Sequence, residues 1–516
     1  MRTKRRKDGW PGAIISFIVF IAVLAFTGLI LYTNLLPAKY IGFIFLGLMI
    51  FLMVIYLLVR RSRRRIRFCI GTGLAVLLLV ALGLGGFYIH TTVSSLDTIT
   101  GVEKDVAEIK VYVLQNDPAQ SIIDAAGYSF GILSSLDRGN TDAALAQISE
   151  ETGNTISPSE YNTLTELADG ILNGNSQAVV LNGGYMDVLA QMDGYSDFSS
   201  KVREIAVCRV ESSVERENRE PSSNTENSEV QEEKDSVSSE TSDNVYTIYI
   251  SGIDTRGEMT SSSLSDVNII LTINTETKQA LMVSTPRDYY VPLSISNGEK
   301  DKLTHAGIYG VNVSMDTLEM LYGIDINYYF RLNFGGFIKI IDALGGITIN
   351  SDYEFDSQNV AGYHFNKGEN HVNGEQALAF CRERYAFSEG DRQRGRNQMA
   401  VVQGVVDKAT SPELLKNYLS VMNSLEGCFE TNISYDTIAS LVRDQLDEGG
   451  SWQVLSYSVD GTGDNQKPYS MSQTAYVMVP DMTTVDKAKS LMQKVREGIM
   501  LSEADVSRQQ PADSAS

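Results

Sequence analysis

The sequence predicts an α/β protein attached to a membrane, in which three N-terminal transmembrane helices precede two exported domains. Three observations lead to this fold class: three uncharged apolar runs in the first ninety residues, a strongly polar stretch at 211–243, and alternating strand and helix patterns on both sides of it. A chain of 516 residues is also too long for one ordinary core, so two or more domains are expected.

Each apolar run has roughly the 20 residues that an α-helix needs to cross the hydrocarbon core of a bilayer. The runs are Ala13–Thr33, Tyr40–Val59 and Phe68–Ile89. Buried helices of a soluble protein would show polar faces and shorter runs. The sequence therefore predicts three transmembrane helices within 13–90.

Basic residues predict the orientation of these helices. Five of them lie in the N-terminal tail 1–12 and six arginines lie in the connector 60–67, whereas the first connector holds only Lys39. Because basic segments stay in the cytoplasm, the tail is predicted to be cytoplasmic and the residues after about His90 extracellular. A cleaved signal peptide fits poorly, since the first run is long and two further spans follow.

The exported part is acidic. Residues 1–67 hold 12 of the 43 basic residues but only one of the 64 acidic residues, Asp8. An acidic domain should bind neither nucleic acid nor an anionic lipid surface through its bulk charge. An anion site in it therefore requires a local concentration of arginine.

Residues 91–210 are predicted to form a small exported accessory α/β domain. Its strand-like patterns are Ile109–Leu114 and Gln177–Leu181, and its helical patterns are Ile122–Leu136 and Glu160–Leu172. Residues 211–243 are nearly all Ser, Glu, Asn, Thr and Asp. Such a stretch cannot bury enough apolar surface to offset its ordering entropy, so a disordered acidic, serine-rich linker is predicted there.

Residues 244–500 are predicted to form the larger domain, followed by a flexible tail at 501–516. The principal strand patterns are Val245–Ile250, Asn268–Ile273, Ala280–Ser284 and Trp452–Val459, and the principal helical patterns are Met315–Tyr322, Phe337–Leu344 and Thr483–Val495. Asn373 with Gln376 three residues later predicts a capping box at the start of another helix. This alternation argues for a central sheet covered on both faces.

Two aspartates follow or begin neighbouring strands of this predicted sheet. Asp254 ends the first strand, and Asp266 begins the next one after a loop of Ser, Thr and Gly. Two convergent carboxylates suit Mg²⁺, which typically takes one or two protein carboxylates together with substrate phosphates. The alternative is that one of them caps a turn or a helix.

Arginines cluster further along the same domain. Arg287 follows a strand, and Arg382 and Arg384 would point to one side in extended backbone. If the later stretch is helical, Arg394 and Gln398 share a face. The guanidinium group presents a planar fork of donors that matches phosphate oxygens.

A plainer interpretation of these arginines is surface ion pairing with Glu383, Glu389 and Asp391. The sequence contains no GxSxG, HExxH or glycine-rich Walker loop, and its four cysteines show no metal-like spacing. A Cys381–Cys428 bridge is conceivable, but cysteines without disulfide bonds are the preferred interpretation.

The chain resembles the LytR–CpsA–Psr family of cell-wall glycopolymer ligases, found mainly in Gram-positive bacteria, from about Val245 to Thr410. The motifs that carry the resemblance are YISGIDTR (249–256), SDVNIILTIN (265–274), STPRDYYV (284–291), IIDALGGI (340–347), NGEQALAFCRER (373–384) and GDRQRGRNQ (390–398). Three spans followed by an exported accessory domain are most similar to the capsule-associated CpsA branch.

The resemblance implies a fold and an activity. The fold is an α-β-α domain with a central mixed sheet. The activity is that of a Mg²⁺-dependent phosphotransferase, which moves a capsule, teichoic acid or similar glycopolymer from undecaprenyl pyrophosphate to peptidoglycan through a phosphodiester link. The partners would be this lipid-linked polymer, peptidoglycan and the membrane, with no role for nucleic acid.

The resemblance also assigns roles to individual residues. By motif, Asp254 and Asp266 would hold Mg²⁺, or Mn²⁺ in its place. The catalytic arginines would be Arg287, Arg382 and Arg384, and these would bind the pyrophosphate together with Arg394, Gln398 and Arg256. The family often has an arginine two residues before the second aspartate, where this chain has Leu264. Arg256 or Arg392 then substitutes for it, or phosphate binding is weaker or shifted.

Two other functions fit the same residues. A polyprenyl-pyrophosphate hydrolase would use water in place of the sugar hydroxyl. A non-catalytic regulator of envelope polysaccharide synthesis would need none of the arginines. The cytoplasmic part is too short for a DNA-binding domain, so direct control of transcription is not expected.

Overall fold

The computed structural model describes residues 10–34, 36–60, 65–100, 106–211, 244–253, 262–409 and 428–507. These residues form two compact units. The first contains the N-terminal helices together with 433–451, and the second contains most of the remaining chain. The predicted basic tail and acidic linker lie outside the described residues, apart from their edges.

The first unit contains three long apolar helices, α1 (Trp10–Thr33), α2 (Ala38–Arg60) and α3 (Arg65–Thr100). Their candidate membrane spans are Pro11–Thr33, Ala38–Val59 and Ile66–Thr91. Each span is apolar around most of its circumference, as the lipid phase requires. The three predicted membrane helices are thus present, and α3 continues beyond the predicted end of its span.

A helix from the far end of the chain belongs to the same unit. This helix, Tyr435–Glu448, contacts the connector between α1 and α2. The Tyr435 hydroxyl donates to the Thr33 carbonyl oxygen at 2.8 Å, and Lys39 Nζ lies 2.7 Å from Asp447 Oδ1. The domain at 244–500 stays a prediction, and within it this segment makes these contacts with the N-terminal helices.

The accessory region begins the second unit with a five-stranded mixed sheet of order β3-β2-β4-β1-β5. Its elements are β1 (Val106–Leu114), β2 (Phe130–Leu133), α4 (Arg138–Thr152), β3 (Ser159–Tyr161), α5 (Leu164–Leu172), β4 (Ala178–Asn182), α6 (Tyr185–Ala190), α7 (Phe198–Lys201) and β5 (Val202–Glu211). The helix predicted at Ile122–Leu136 is wrong, because this stretch forms turns followed by the fully buried strand β2. Periodicity cannot separate a short buried strand from a buried helical turn.

The rest of the second unit is built around a six-stranded sheet. The strands of this part of the unit, in the central sheet and in smaller two-stranded sheets, are β6 (Val245–Ile253), β7 (Ser265–Asn274), β8 (Gln279–Ser284), β9 (Tyr290–Pro292), β10 (Lys300–Lys302), β11 (Tyr328–Asn333), β12 (Ile347–Ser351), β13 (Phe355–Asp356), β14 (His364–Phe365), β15 (Gly368–Val372), β16 (Phe429–Thr431), β17 (Gln453–Ser458), β18 (Gly461–Gln466) and β19 (Ala475–Pro480). The central order is β16-β11-β6-β7-β8-β17, with β11–β6 and β8–β17 parallel and the other pairs antiparallel. The predicted mixed sheet is thus confirmed.

Helices cover both faces of this sheet. The helices of this unit are a 3₁₀ helix (Leu303–Tyr309), α8 (Val311–Tyr322), α9 (Phe334–Ala343), α10 (Gly374–Arg382), α11 (Asp391–Ala409), α13 (Met482–Arg496) and α14 (Glu503–Val506); the helix Tyr435–Glu448, numbered α12, belongs to the first unit. On one face, α8 and α13 bury Leu318 and Leu491 in the larger core. On the other, Met399 of α11 packs against Ile269 and Met282. The three-layer arrangement is as predicted.

Two helix ends in this domain coincide with residues that cap the backbone. Asn373 and Gln376 form the predicted capping box at the start of α10. Gly323 ends α8 in the left-handed region at φ 62°. The predicted tail begins too early, since Leu501 is buried and α14 follows it. All four cysteines lie in the described part of the chain, and none forms a disulfide bond.

Candidate active site

A narrow cleft opens at one edge of the central sheet, where β8 and β17 end and α11 begins. The ends of the two parallel strands are in register at Ser284 and Ser458. The residues that line the cleft are Asp266, Ser284, Thr285, Pro286, Arg287, Asp391, Arg392, Arg394, Gly395, Gln398, Ser458 and Val459. Five of the predicted site residues or their substitutes, namely Asp266, Arg287, Arg392, Arg394 and Gln398, therefore meet in one place.

Arg287 and Asp266 form the inner wall of the cleft. Arg287 Nη1 donates a hydrogen bond to Asp266 Oδ1 at 2.5 Å. The side chains of Arg287 and Asp266 are 16% and 17% exposed. Asp288 Oδ1 lies 3.9 Å from Arg287 Nε and 3.4 Å from Lys302 Nζ. Asp288 thus lies between two cations, where it can help to orient Arg287.

The first turns of α11 form the opposite wall. Because this segment is helical, Arg394 and Gln398 lie on one face, as predicted, and both line the cleft. The amide groups at a helix N-terminus favour an anion, and the helix dipole adds to this preference. Gly395 allows α11 to come close to the sheet, because a Cβ there would lie 2.9 Å from Ser284 Oγ.

Asp391 lies among several charged side chains of the cleft. Its carboxylate forms an ion pair with Arg394, three residues later on the helix. Burial raises the pKa of the Asp391 carboxyl above its ordinary value, and Arg394 opposes this shift. Weaker charge effects come from Asp288, which raises the pKa, and from Arg287 and Arg384, which lower it. Arg384 therefore lies near enough for its charge to act on the cleft.

Two further arginines of α11 differ in their surroundings. Arg392 pairs with Asp460 and donates to the Gly461 carbonyl oxygen at 2.8 Å, while its side chain lines the cleft. Arg396 pairs with Glu389 at the surface instead. The ion-pairing interpretation thus holds for Arg396 with Glu389 and also for Arg394 with Asp391, although Arg394 lines the cleft as well. Arg392 is placed where it could substitute for a cleft arginine.

Arg382 and Arg384 lie on aromatic rings. The Arg382 guanidinium carbon is 4.7 Å from the centre of the Phe334 ring, and that of Arg384 is 4.7 Å from the Tyr385 ring. The expected extended backbone is wrong for Arg382, because it is the last residue of α10. Within the described residues, neither arginine belongs to the walls of the cleft.

Glu383 fixes the chain between these two arginines. Its buried carboxylate accepts hydrogen bonds from the Ser357 hydroxyl and from the backbone amides of Gln358, Asn359, Arg384, Tyr385 and Ala386. Burial alone would raise the pKa of Glu383, but these bonds outweigh it and the pKa is lowered. Sequence reasoning expected an arginine partner and missed this role, because the donors are backbone groups.

Asp254 and Arg256 lie outside the described residues. Ile253, the residue before Asp254, pairs with Ser265 across β6 and β7, and Asp266 follows Ser265 directly. No group of three or more potential metal ligands occurs among the residues that the structure describes. One or two carboxylates with phosphate oxygens suffice for Mg²⁺, so the carboxylate of Asp266 in this cleft fits such an ion.

Leu264 is buried, with 8% of its surface exposed, in an apolar cluster. Leu264 is not among the described residues that line the cleft. The structure places Arg392 rather than Leu264 at the cleft wall.

Comparison with known proteins agrees with these features. The LytR_cpsA_psr family model matches residues 212–494. The polyisoprenyl-teichoic acid–peptidoglycan teichoic acid transferase TagU of Bacillus anthracis is 34% identical over 245 residues, which are 47% of this chain and 77% of that protein. The protein of the same name from Enterococcus faecalis is 33% identical over 220 residues, 42% of this chain and 71% of that protein.

Solved structures are similar to about half of the chain. The crystal structure of Bacillus subtilis TagV has a TM-score of 0.42 and 26% identity, covering 50% of this chain and 100% of that one. The family model spans more than half of the sequence, and the identity to the B. anthracis protein extends over most of that protein. The chain therefore belongs to the LytR–CpsA–Psr family.

Proposed function

We propose that this protein transfers a glycopolymer from undecaprenyl pyrophosphate to peptidoglycan and joins the two by a phosphodiester link. The observation that carries the proposal is the convergence of Arg287, Arg392 and Arg394 beside Asp266 at the N-terminus of α11. These cations lie in a strongly acidic part of the chain, where only a local cluster would attract an anion. The names of the B. anthracis and E. faecalis relatives give the same class of reaction.

The cleft residues suit this chemistry. A hydroxyl of peptidoglycan attacks the sugar-proximal phosphorus, a new P–O bond forms, the bond to the bridging oxygen breaks, and polyprenyl phosphate leaves. Arg287 and Arg394 would donate to the phosphoryl oxygens, where negative charge accumulates in the transition state. Arg382 and Arg384 are proposed to act on the same pyrophosphate, since the charge of Arg384 already reaches Asp391.

Magnesium is part of the proposal. Asp266 and Asp254 would hold Mg²⁺, or Mn²⁺, and the ion would neutralise charge on the phosphates. Arg287 pairs with Asp266 in the protein alone, so this arginine is already directed at the place where an ion and a phosphate would be bound. Chelation of divalent cations is accordingly expected to stop transfer, and added Mg²⁺ to restore it.

The proposed location is the cell membrane, with the N-terminus in the cytoplasm and the folded domains outside. The apolar helices are long enough to span a bilayer, and the arginine-rich connector 60–67 favours the cytoplasmic side. The order of three spans followed by an accessory region supports the capsule-associated branch of the family.

The test uses the full chain in lipid nanodiscs with a synthetic undecaprenyl pyrophosphate disaccharide and peptidoglycan fragments. Arg287→Ala and Arg394→Ala should each lower the transfer rate about 100-fold or more, because each removes a transition-state contact. The matched control is Arg138→Ala, which removes a surface arginine paired with Asp142 and Glu160.

Mass spectrometry of the products separates the possible outcomes. A disaccharide phosphate joined to peptidoglycan supports the ligase, whereas free disaccharide phosphate indicates a hydrolase. Transfer at the wild-type rate by both cleft variants would refute the assigned site. Polyprenyl phosphate that co-purifies with the wild-type chain and is lost from Arg394→Ala would identify the substrate class independently of turnover.

A further inference from the structure

Leu264 belongs to an apolar cluster that is shared by the accessory region and the larger domain. We infer that Leu264 is a positioning residue, which docks the segment Ser262–Ser265 against the accessory region and thereby holds Asp266 in the cleft. This inference rests on the proposed function, and it gives the accessory region a part in the same reaction.

The shared cluster is continuous across the two parts of the second unit. The accessory region contributes Leu164, Leu167, Tyr185, Val188 and Leu189, and the larger domain contributes Leu264, Leu293, Ala306, Ile308 and Met471. All ten side chains are buried. Burying an aliphatic side chain of this size contributes roughly 1.5–3 kcal/mol, so the two parts form a joint core rather than a loose contact.

Hydrogen bonds fix how the accessory region sits on this core. The Glu108 amide of β1 donates to Ser262 Oγ at 3.3 Å, directly on the docked segment. The Tyr185 hydroxyl donates to that of Tyr309 at 2.7 Å. Asn182 Nδ2 donates to the Ile308 carbonyl oxygen at 3.1 Å. The accessory region thus holds both the segment and the 3₁₀ helix beside it.

The 3₁₀ helix is packed closely between the accessory region and the segment Ser262–Ser265. A Cβ on Gly184 of the accessory region would lie 3.1 Å from the side-chain carbons of Ile308. A Cβ on Gly307 would lie 2.5 Å from the Ser263 carbonyl oxygen and 3.0 Å from the Ser265 nitrogen. Interiors packed this closely resist displacement, so a shift of the accessory region would move the segment.

The segment in turn determines the position of Asp266. Ser265 is hydrogen-bonded to the hydroxyls of Ser251 and Tyr249, each at 2.8 Å, and pairs with Ile253 in the sheet. Asp266 is the next residue, with its carboxylate beside Arg287. A misplacement of about 1 Å at a reacting centre can lower the rate about 100-fold. A residue that holds Asp266 in position can therefore affect turnover without contacting the substrate.

The docking role also explains why position 264 is a leucine. An arginine there would bring a guanidinium group into an apolar cluster, where burying an unpaired charge is strongly unfavourable. Leucine therefore suits position 264 as a packing residue, while Arg392 places a cation at the cleft wall.

The test compares Leu264 variants of the full chain with a matched leucine elsewhere. Leu145 also has 8% of its surface exposed, but it lies in the separate core on the other side of the accessory sheet. Leu264→Ala should lower kcat about 10-fold while the KM for the undecaprenyl pyrophosphate disaccharide stays within about 2-fold, because the arginine contacts are retained. Leu145→Ala should lower the melting temperature and leave kcat unchanged.

Amide hydrogen exchange of the same proteins, without substrate, gives a readout that does not depend on turnover. Exchange at 262–268 should quicken in Leu264→Ala and in Leu264→Arg, but not in Leu145→Ala. Leu264→Met, which keeps the apolar volume, should restore both the exchange pattern and kcat. Leu264→Val serves as a milder deletion if the alanine variant does not fold.

Two results would overturn the inference: transfer by Leu264→Arg at or above the wild-type rate, or unchanged exchange and kcat in the folded Leu264→Ala or Leu264→Val protein. Full activity of Arg394→Ala would instead contradict the proposed function. In that case the exchange experiment would still decide whether Leu264 supports the segment.

Discussion

Arg287 and Arg394 each share their charge with one aspartate in the cleft. Asp266 accepts from Arg287 and Asp391 pairs with Arg394, so both guanidinium groups are held in a defined orientation before substrate binds. A largely buried ion pair of this kind contributes little net stability, because desolvation offsets the Coulomb attraction. We propose that these pairs serve to orient the arginine forks toward a phosphate.

Arg382 and Arg384 are proposed to bind the same pyrophosphate. Arg382→Ala or Arg384→Ala should abolish transfer, because each variant removes a cation proposed to stabilise the pyrophosphate. Both guanidinium groups lie over aromatic rings near the surface, so the melting temperature should change little. Transfer assays with matched circular-dichroism melts test this, and normal activity in both folded variants would exclude the two arginines from the site.

The partners of these arginines show how far single residues can be predicted. The sequence placed Arg394 and Gln398 on one helix face, because that relation depends only on helical spacing. It could not identify Asp460 as the partner of Arg392, since 68 positions separate them and only the fold brings them together. It also could not foresee that Glu383 binds backbone amides, a role that leaves no periodic pattern.

At the scale of elements, α11 has to pass close to a neighbouring strand. A Cβ on Gly404 would lie 2.5 Å from the Thr348 carbonyl oxygen of β12. Gly404→Ala gains up to about 1 kcal/mol of helix propensity, but the backbone clash should outweigh it and destabilise the protein by about 1–3 kcal/mol. Thermal unfolding measures the difference.

The control for this substitution is Gly127→Ala, since no atom lies within 4 Å of a Cβ built there. This change should be neutral or slightly stabilising, because it only reduces the freedom of the unfolded chain. A Gly404→Ala protein as stable as the wild type would mean that α11 and β12 can separate without cost.

Asp137, at the start of α4, gives the accessory region a dependence on pH. Burial raises the pKa of its carboxyl to about 6, although hydrogen bonds from Asn182 and Asn140 oppose the shift. Because the folded chain keeps this proton to a higher pH than the unfolded chain, Asp137 lowers the stability as the pH rises from about 4 to about 6. Above that range the destabilisation is complete, on the order of 2–3 kcal/mol.

Asp137→Asn removes this titration and also suits the left-handed backbone at φ 52°. The asparagine keeps only one of the two oxygens that accept from Asn140 and Asn182, so it loses one hydrogen bond at every pH. The melting temperature of the variant relative to that of the wild type should nevertheless rise from pH 4.5 to pH 7.5. Melting curves of both proteins across this range isolate the contribution from those of the other carboxyl groups. A difference that is independent of pH would contradict a raised pKa.

The elements themselves were predictable where a strong local signal exists. β6, β7, β8, α8 and the capped start of α10 follow from apolar patterns, glycine stops and a capping box. The strand β2 and the 3₁₀ helix were missed, because their form is decided by the joint core that surrounds them. The docking role of Leu264 was invisible for the same reason.

At the scale of the whole molecule, one helix from late in the chain belongs to the unit of the N-terminal helices. α12 lies between β16 and β17 in sequence, yet it contacts the connector between α1 and α2 through Tyr435 and Asp447. The connector and α12 must therefore lie on one side of the membrane. We propose that the arginines of 60–67 lie on the other side, because basic connectors remain in the cytoplasm.

Cysteine labelling in intact protoplasts tests this topology. In a background without the native cysteines, Ala38→Cys at the first residue of α2 should react with a membrane-impermeant maleimide, because this exposed position is proposed to face outward. Ser62→Cys, among the arginines of the second connector, should react only after the cells are lysed, since basic connectors remain in the cytoplasm. Labelling of Ser62→Cys in intact cells would reverse the assignment and would place the arginine cleft on the side of the membrane that lacks peptidoglycan.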